Sequence, residues 1–337
     1  MTHYYRPILQ TDVARSANSL PLAGGWCWFN RVEVLVRDGA TEIVPTNEVP
    51  SDILEKLTKP RPPVSGLGLG CPRLMGILNT TPDSFSDGGQ FDTIASGVTH
   101  AQGMIKDGAD IIDIGGESTR PGAELVVDDQ EISRTIPVIE AIRTTSLTTI
   151  SIDTRKASVA AAALAAGAAI VNDVSALSFD PQLADLVAKS DVPVCLMHAK
   201  GDPETMQDDP SYENVLLDVY DYLSERITHA QAAGIRLENI IIDPGIGFGK
   251  TLEHNLTLIQ NIALFHTLGC PILLGASRKR FIGTLGGASD ASARLPGSIA
   301  VALAGISQGV QITRVHDIAE TRQALTLWSA VTGMRQK

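Results

Sequence analysis

TISIDTRKASVAAAALAAGAAIVNDV, residues 149–174, reads as strand, helix, strand. TISIDT and AIVNDV are short runs rich in β-branched residues, and both end in polar groups. RKASVAAAALAAGA between them is a helix-forming stretch. Near-continuous apolar strands joined by helices imply a parallel sheet covered by helices. The alternation continues in both directions. LMGILN (74–79) and IIDIGG (111–116) precede the stretch, and PVCLMH (193–198), IIIDPG (240–245), ILLGAS (272–277) and ITRVHD (312–317) follow it. Helical segments lie between, among them DDQEISRTIPVIEAIR, SYENVLLDVYDYLSERITHAQAAG and PGSIAVALAGISQG. Eight such units close into an α/β (β/α)8 TIM barrel of roughly 250 residues. An open doubly wound sheet would put a glycine-rich nucleotide turn after its first strand; here the first strand runs into NTTPDSFSDGG.

Residues 1–70 lie outside this pattern and are expected to form a small N-terminal extension, with the barrel over 71–335. WCWFNRVEVLVRDG alternates and ends in Asp38-Gly39, a hairpin signal. KPRPPVSGLGLG (59–70) reads as a linker. Every strand and motif of the barrel lies beyond it, so the extension is expected to be dispensable.

The 337 residues are 44% hydrophobic and 19% charged, enough for a sizeable core. A formal net charge of −11 argues against a general nucleic-acid binder, and an anionic ligand would need a local basic pocket. The four cysteines form no C-x-x-C pair and read as reduced intracellular thiols, not as a disulfide frame or a zinc site. No apolar stretch is long enough to span a membrane. MTHYYRPILQTD lacks a signal-peptide pattern, so the cytoplasm is the expected compartment.

Active sites of such barrels lie at the C-terminal ends of the strands. Those ends carry Asn79, the loop from Glu117 to Arg120, Asp153, Asn172-Asp173, Met197-His198, Asp243, Ser277-Arg278-Lys279 and Arg314-Val315-His316-Asp317. Simpler readings stand beside each. Asp173 and Asp317 suit helix caps, and His198 suits a satisfied core histidine. Caps do not explain why Arg120, Arg278, Lys279, Arg314 and His316 gather at one rim of an acidic protein, which points to an anion site. Two glycine motifs are set aside. GIGFGKT has Pro244 where a phosphate loop needs glycine. GLGLG (66–70) precedes a strand and continues with Cys71.

Together these motifs resemble the dihydropteroate synthase family. MGILNTTPDSFSDGG (75–89) and DIGGESTRPGA (113–123) resemble its two signature loops. IDTRKASVAAAALAAGAAIVNDV, IIDPGIGFGKTLEHN, GASRKRFIG, RLPGSIA and RVHD follow in the family's order. The resemblance spans about residues 71–335. It implies condensation of 6-hydroxymethyl-7,8-dihydropterin diphosphate with 4-aminobenzoate. It also implies a pterin site of Asp153, Asn172, Met197, Asp243, Phe248, Gly275 and Lys279. Phe85, Thr119, Pro121, Phe248, Ser277 and Arg278 would surround the aminobenzoate. Asn79, Arg120, Arg314 and His316 would hold the diphosphate, with Mg2+ on Asn79. Catalysis would fall to Asn79, Thr119, Arg120, Lys279, Arg314 and His316. Ile246 stands where the family often has an aromatic residue.

Two other readings share the pterin-facing residues. A methyl transferase acting on a corrinoid protein would not need the Ser-Thr-Arg-Pro loop, the Ser-Arg-Lys triplet and the Arg-x-His pair together. A pterin-binding paralogue without turnover would be expected to lose Asn79, Arg314 or His316. The resemblance further implies small-molecule substrates, no nucleic-acid or membrane partner, a homodimer and competition of sulfonamides with 4-aminobenzoate. IAVALAGI is a candidate contact helix.

Overall fold

The computed structural model describes residues 2–81, 90–118, 125–201, 206 and 210–334. Phe85, Thr119, Arg120 and Pro121 lie outside the described residues. The chain begins with β1 (Tyr4–Pro7), β2 (Leu20–Pro21), β3 (Trp28–Phe29), β4 (Arg31–Leu35), β5 (Glu42–Pro45) and α1 (Ser51–Thr58). β4 and β5 form the expected hairpin about Asp38-Gly39, and β1 adds to its other side.

The eight expected strands follow: β6 (Arg73–Asn79), β7 (Ile111–Gly115), β8 (Thr149–Asp153), β9 (Ile170–Asp173), β10 (Val194–Met197), β11 (Ile240–Asp243), β12 (Leu273–Leu274) and β13 (Ile312–Val315). Between and after them run α2 (Gln90–Lys106), α3 (Asp128–Arg143), α4 (Ala157–Ala166), α5 (Pro181–Ser190), α6 (Val215–Ala232), α7 (Leu252–Gln260), α8 (Arg280–Gly286), α9 (Leu295–Ser307) and α10 (Ile318–Val331). All eight strands are parallel, in the order β11-β10-β9-β8-β7-β6-β13-β12. The remaining seam is drawn together by the bridge of Ile242 to Ile272 and by the Ile242 amide donating to the Pro271 carbonyl at 3.0 Å. Pro271 has no N–H to give the ladder, which fits the shortness of β12. The result is a nearly closed (β/α)8 barrel.

The base of the barrel is sealed by residues read from the sequence as a linker. Val64 and Leu67 exchange backbone hydrogen bonds of 3.0 and 2.8 Å. Ser65 and Gly66 between them have φ of 46° and 81°. This is the positive-φ pair that a tight two-residue hairpin turn requires. The turn sends Val64 and Leu69 into an apolar cluster with Met75, Ile111, Ile170, Cys195, Ile241, Leu273 and Ile312. The expected linker is therefore a plug.

The rest of the extension lies on the outside of the barrel and shares its main core. Phe29, Val32 and Leu57 are fully enclosed. The Trp26 indole N–H donates to the Ile306 carbonyl at 2.8 Å. Arg61 donates to the carbonyls of Lys56 (2.9 Å) and His266 (2.9 Å), and so satisfies the ends of two helical segments at once. Tyr4 donates to Asp221 at 2.9 Å, and Arg37 pairs with Asp218 and Asp221 of α6. Dispensability was expected from the position of the motifs alone. The packing speaks against it, because the buried apolar residues of the extension belong to one core with those of the barrel.

Candidate active site at the barrel mouth

Side chains two residues apart on a strand point to the same side. Two positions above the apolar cluster at the base, the inward row reads Ile77, Asp113, Asn172, Met197, Asp243, Gly275 and Arg314. Ser151 joins it on β8, where it pairs in register with Asp113. The same strands that form a dry base therefore turn polar within one further pleat. At the top of the neighbouring strands, Asn79 lies beside Gly115, Gly115 beside Asp153, and Asp153 beside Asn172.

Arg314 organises this row. Its Nε pairs with Asp113 Oδ2 at 2.6 Å and its Nη2 with Asp153 Oδ2 at 2.8 Å. The Asn172 amide donates to the same Asp113 oxygen at 3.0 Å. Burial works against the charge of Arg314, but Asp113 and Asp153 outweigh it and raise its pKa. Burial pushes the Asp153 carboxyl up to about 7, with Arg314 pulling the other way. The family resemblance assigns Arg314 to a diphosphate. In the structure its Nε and Nη2 are committed to carboxylates of the pterin-site row. The reason is electrostatic: two enclosed carboxylates this close need a cation between them.

Asp243 is enclosed at the end of β11, and burial raises its pKa. The Gly245 N–H, bonded to it at 2.7 Å, Lys279, Lys250 and Arg314 all pull it down. Gly275 faces it. A Cβ there would lie 3.6 Å from Asp243 Oδ2 and 4.0 Å from Arg314 Cβ, so the missing side chain keeps space between the two charges. Met197 is in register with Asp243 and gives an apolar wall. Lys279 Nζ sits 4.1 Å from the centre of the Phe248 ring and donates to the Ile246 carbonyl. Burial, helped by Arg314, lowers its pKa to about 8 against the pull of Asp243. Ile246 itself is fully enclosed.

The remaining candidates join the loops of β12 and β13. The Ser277 hydroxyl lies 3.0 Å from His316 Nδ1 and accepts from the His316 N–H at 3.3 Å. Arg278, at φ 57°, pairs with Asp317 through Nε at 3.0 Å and through Nη2. Asp317 thus anchors Arg278 and makes no side-chain cap on α10. Asp173 is not a helix cap either: it turns the chain by accepting from Ser175 N (2.7 Å) and Leu177 N (2.6 Å), while Asp180 caps α5. The simpler reading holds for His198, an enclosed histidine bonded to Lys250.

Two residues of the site escape the sequence reading. Asp113 is one; a carboxylate inside the apolar run IIDIG was the available signal. Lys250 is the other, dismissed with the rejected phosphate loop. Among the described residues no group of three His, Cys, Asp or Glu side chains could hold a metal ion, and no helix is long and apolar enough to cross a membrane.

Residues 75–316 match the family described as pterin binding enzyme. The dihydropteroate synthase of Escherichia coli (strain K12) is 45% identical over 272 residues, which cover 81% of this chain and 96% of the relative. Among solved structures, Xanthomonas albilineans dihydropteroate synthase with 4-aminobenzoic acid superposes with a TM-score of 0.76 at 45% identity, covering 80% of this chain and 97% of that one. The same organism's enzyme in complex with 7,8-dihydropteroate gives 0.73 at 43% identity, with coverage of 80% and 97%.

Proposed function

The chain belongs to the pterin binding enzyme family, and on that premise we propose how its residues divide the work of a dihydropteroate synthase. The enzyme condenses 6-hydroxymethyl-7,8-dihydropterin diphosphate with 4-aminobenzoate, giving 7,8-dihydropteroate and diphosphate for folate synthesis. The observation that supports the division is the polar row directly above an apolar base. A pterin edge carries N–H donors beside a carbonyl and ring-nitrogen acceptors. Asp153, Asn172 and Asp243 complement that edge, and Lys279 donates to the carbonyl oxygen. Met197 and the space at Gly275 receive the ring. Arg314 keeps Asp113 and Asp153 compensated, so that they remain acceptors.

The reaction is a dissociative substitution. The bond from the pterin methylene carbon to the diphosphate oxygen breaks, and its electron pair leaves with the diphosphate. The cation is delocalised into the pterin ring. The arylamine nitrogen then forms the new C–N bond and gives up a proton. No side-chain nucleophile is needed when the C–O bond breaks before the C–N bond forms. Asn79, His316 and Arg120 are assigned to the diphosphate, with Arg314 on the pterin side of it. Phe248, Ser277 and Arg278 are assigned to the aminobenzoate, with Phe85, Thr119 and Pro121. Thr119 and Arg120 complete the catalytic set.

A metal bound mainly by protein carboxylates does not fit the described residues, whereas magnesium carried largely by phosphate oxygens and water needs few protein donors. The Asn79 amide suits that requirement. Magnesium held there would neutralise charge gathering on the leaving group.

The four cysteines are free, which fits a reducing cytoplasm. A homodimer is proposed through α9, where Ala300 and Ala304 are exposed beside half-buried Ile299, Val301 and Leu303. Sulfonamides are expected to compete with 4-aminobenzoate. The test of the whole reading is direct. Purified protein given both substrates and Mg2+ should release diphosphate and form dihydropteroate, and should lose turnover when Mg2+ is chelated. No dihydropteroate under these conditions would overturn it.

A further inference from the structure

Lys250 is 3% exposed and meets carbonyls and an imidazole, with no carboxylate bonded to it among the described residues. Its Nζ lies 2.8 Å from His198 Nδ1, 3.0 Å from the Phe248 carbonyl and 3.4 Å from the His198 carbonyl. One side chain therefore joins the loop after β10 to the loop after β11. The second loop has little freedom otherwise. Gly245, Gly247 and Gly249 all have positive φ (67°, 84° and 61°). Cβ atoms on them would run into the His198 carbonyl at 1.8 Å, Lys279 Cδ at 2.8 Å and the Lys200 carbonyl at 2.3 Å. The loop is thus pressed flat against 198–200 on one side and against Lys279 on the other. Tyr212 closes it further by donating to the Gly249 carbonyl at 2.7 Å. The Tyr222 ring meets the His198 ring edge-on at 4.8 Å.

We propose that Lys250 is a positioning residue for the aminobenzoate side of the site, holding Phe248 and, through the Phe248 ring and the Ile246 carbonyl, the ammonium of Lys279. Burial lowers the pKa of Lys250 well below that of a free lysine and holds His198 at about 2. The imidazole is therefore neutral and can accept at Nδ1. Lys250 touches no substrate in this arrangement; it acts on the face and cation that do. The proposal rests on the assignment of Phe248 to the aminobenzoate.

The experiment measures both Michaelis constants, kcat and melting temperature. Phe248→Leu comes first. If it leaves the constant for 4-aminobenzoate unchanged, the assignment of Phe248 fails and the proposal falls with it. With that assignment upheld, Lys250→Met keeps length and removes all three bonds. It should raise the constant for 4-aminobenzoate about tenfold, the scale of one or two lost hydrogen bonds, with that for pterin diphosphate within about twofold. If Lys250→Met does not fold, the pair His198→Asn and His198→Leu decides. An asparagine oxygen can take the place of Nδ1 as acceptor, whereas leucine cannot. His198→Asn should stay near wild type, and His198→Leu should show the selective rise. Equal changes in both constants, or a loss of melting temperature with neither constant moved, would make Lys250 a structural residue only and overturn the proposal.

Discussion

The base and the mouth of this barrel are built on the same strands, two residues apart, and have opposite chemistry. Met75, Ile111, Ile170, Cys195, Ile241, Leu273 and Ile312 meet Val64 and Leu69 in an apolar layer. One pleat higher, Asp113, Asn172, Asp243 and Arg314 point into the same interior. The layers are separated by about 7 Å of strand. The lower one gains from burial at about 25 cal/mol per Å² and needs no partner geometry. The upper one is costly to enclose unless every charge is matched. The fold therefore keeps its stability at one end of each strand and spends some of it at the other.

The largest way to break that division is to remove the cover of the base. Residues 272 in number of this chain account for 96% of the E. coli relative, so a related barrel folds with little left over for such an extension. In this chain, however, Leu22 lies against Gly309 and Tyr4 lies edge-on to Tyr220 at 5.3 Å. Each large side chain stripped of burial is worth about 1.5–3 kcal/mol. Deleting residues 1–59 should lower the melting temperature by more than about 10 °C, at about 2–4 °C per kcal/mol. Deleting 1–70 also removes Val64 and Leu69 and should leave little soluble protein. Equal melting temperatures and activities for the two truncations and the full chain would show that the extension is separable after all.

Arg314→Met attacks the upper layer at its cation. It leaves Asp113 and Asp153 facing each other without compensation. Loss of one partner from a buried ion set costs about 3–5 kcal/mol. Denaturant unfolding at neutral pH should show it, and adding Asp113→Asn should restore part. Simple additivity of the two changes would mean that they do not form one network.

A matched pair of substitutions sharpens the comparison. Leu69→Ala, in the lower layer, should cost about 2–5 kcal/mol of stability and leave kcat/KM near wild type. Asp243→Asn, in the upper layer, should do the reverse. It turns one acceptor into a donor against the pterin edge, at about 1–3 kcal/mol, and should lower kcat/KM about ten- to a hundredfold. Its melting temperature should hold or rise, because burial already disfavours the Asp243 charge. Loss of stability and activity together in either variant would join the layers.

The sequence carries the lower layer better than the upper one. Eight apolar runs announce eight strands, because burial of a strand on both faces leaves a continuous signal that needs no knowledge of neighbours. Leu273–Leu274 is the shortest of them, and Pro271 shows why. The plug was hidden because Pro, Gly and Ser mark a turn whether it lies in solvent or inside a barrel. At the mouth, residue types could be read but not their partners. Arg314 looked like one of several rim cations until Asp113, in another strand, was brought within 2.6 Å. Lys250 was missed for the same reason, since the His198 ring and carbonyl that it meets lie on a loop far away in the chain.

The smallest expected effect is on pH dependence, and it tests whether the upper layer is tuned by its burial. Asp153 sits near 7 in the fold, and an unfolded aspartate near about 3.9. Between these values the native state keeps a proton that the unfolded chain has lost, so this group's contribution to stability falls as pH rises through that window. Binding has the opposite requirement, because a pterin N–H needs the ionised carboxylate. Affinity should rise towards pH 7 by at most about tenfold per unit. It should fall again above about 8, where Lys279 loses its charge. The probe should be 6-hydroxymethylpterin without diphosphate, since a phosphate titrates near about 6 and would mask the acid limb. Calorimetry from pH 5.5 to 9 should give wild type a maximum between 7 and 8. Asp153→Asn should weaken the acid limb, leaving the part that buried Asp243 supplies, and keep the basic one. A wild-type affinity that is level across the acid range would mean that Arg314 holds Asp153 ionised throughout. The pairing seen at 2.8 Å would then outweigh burial, and the mouth would be as indifferent to pH as the base.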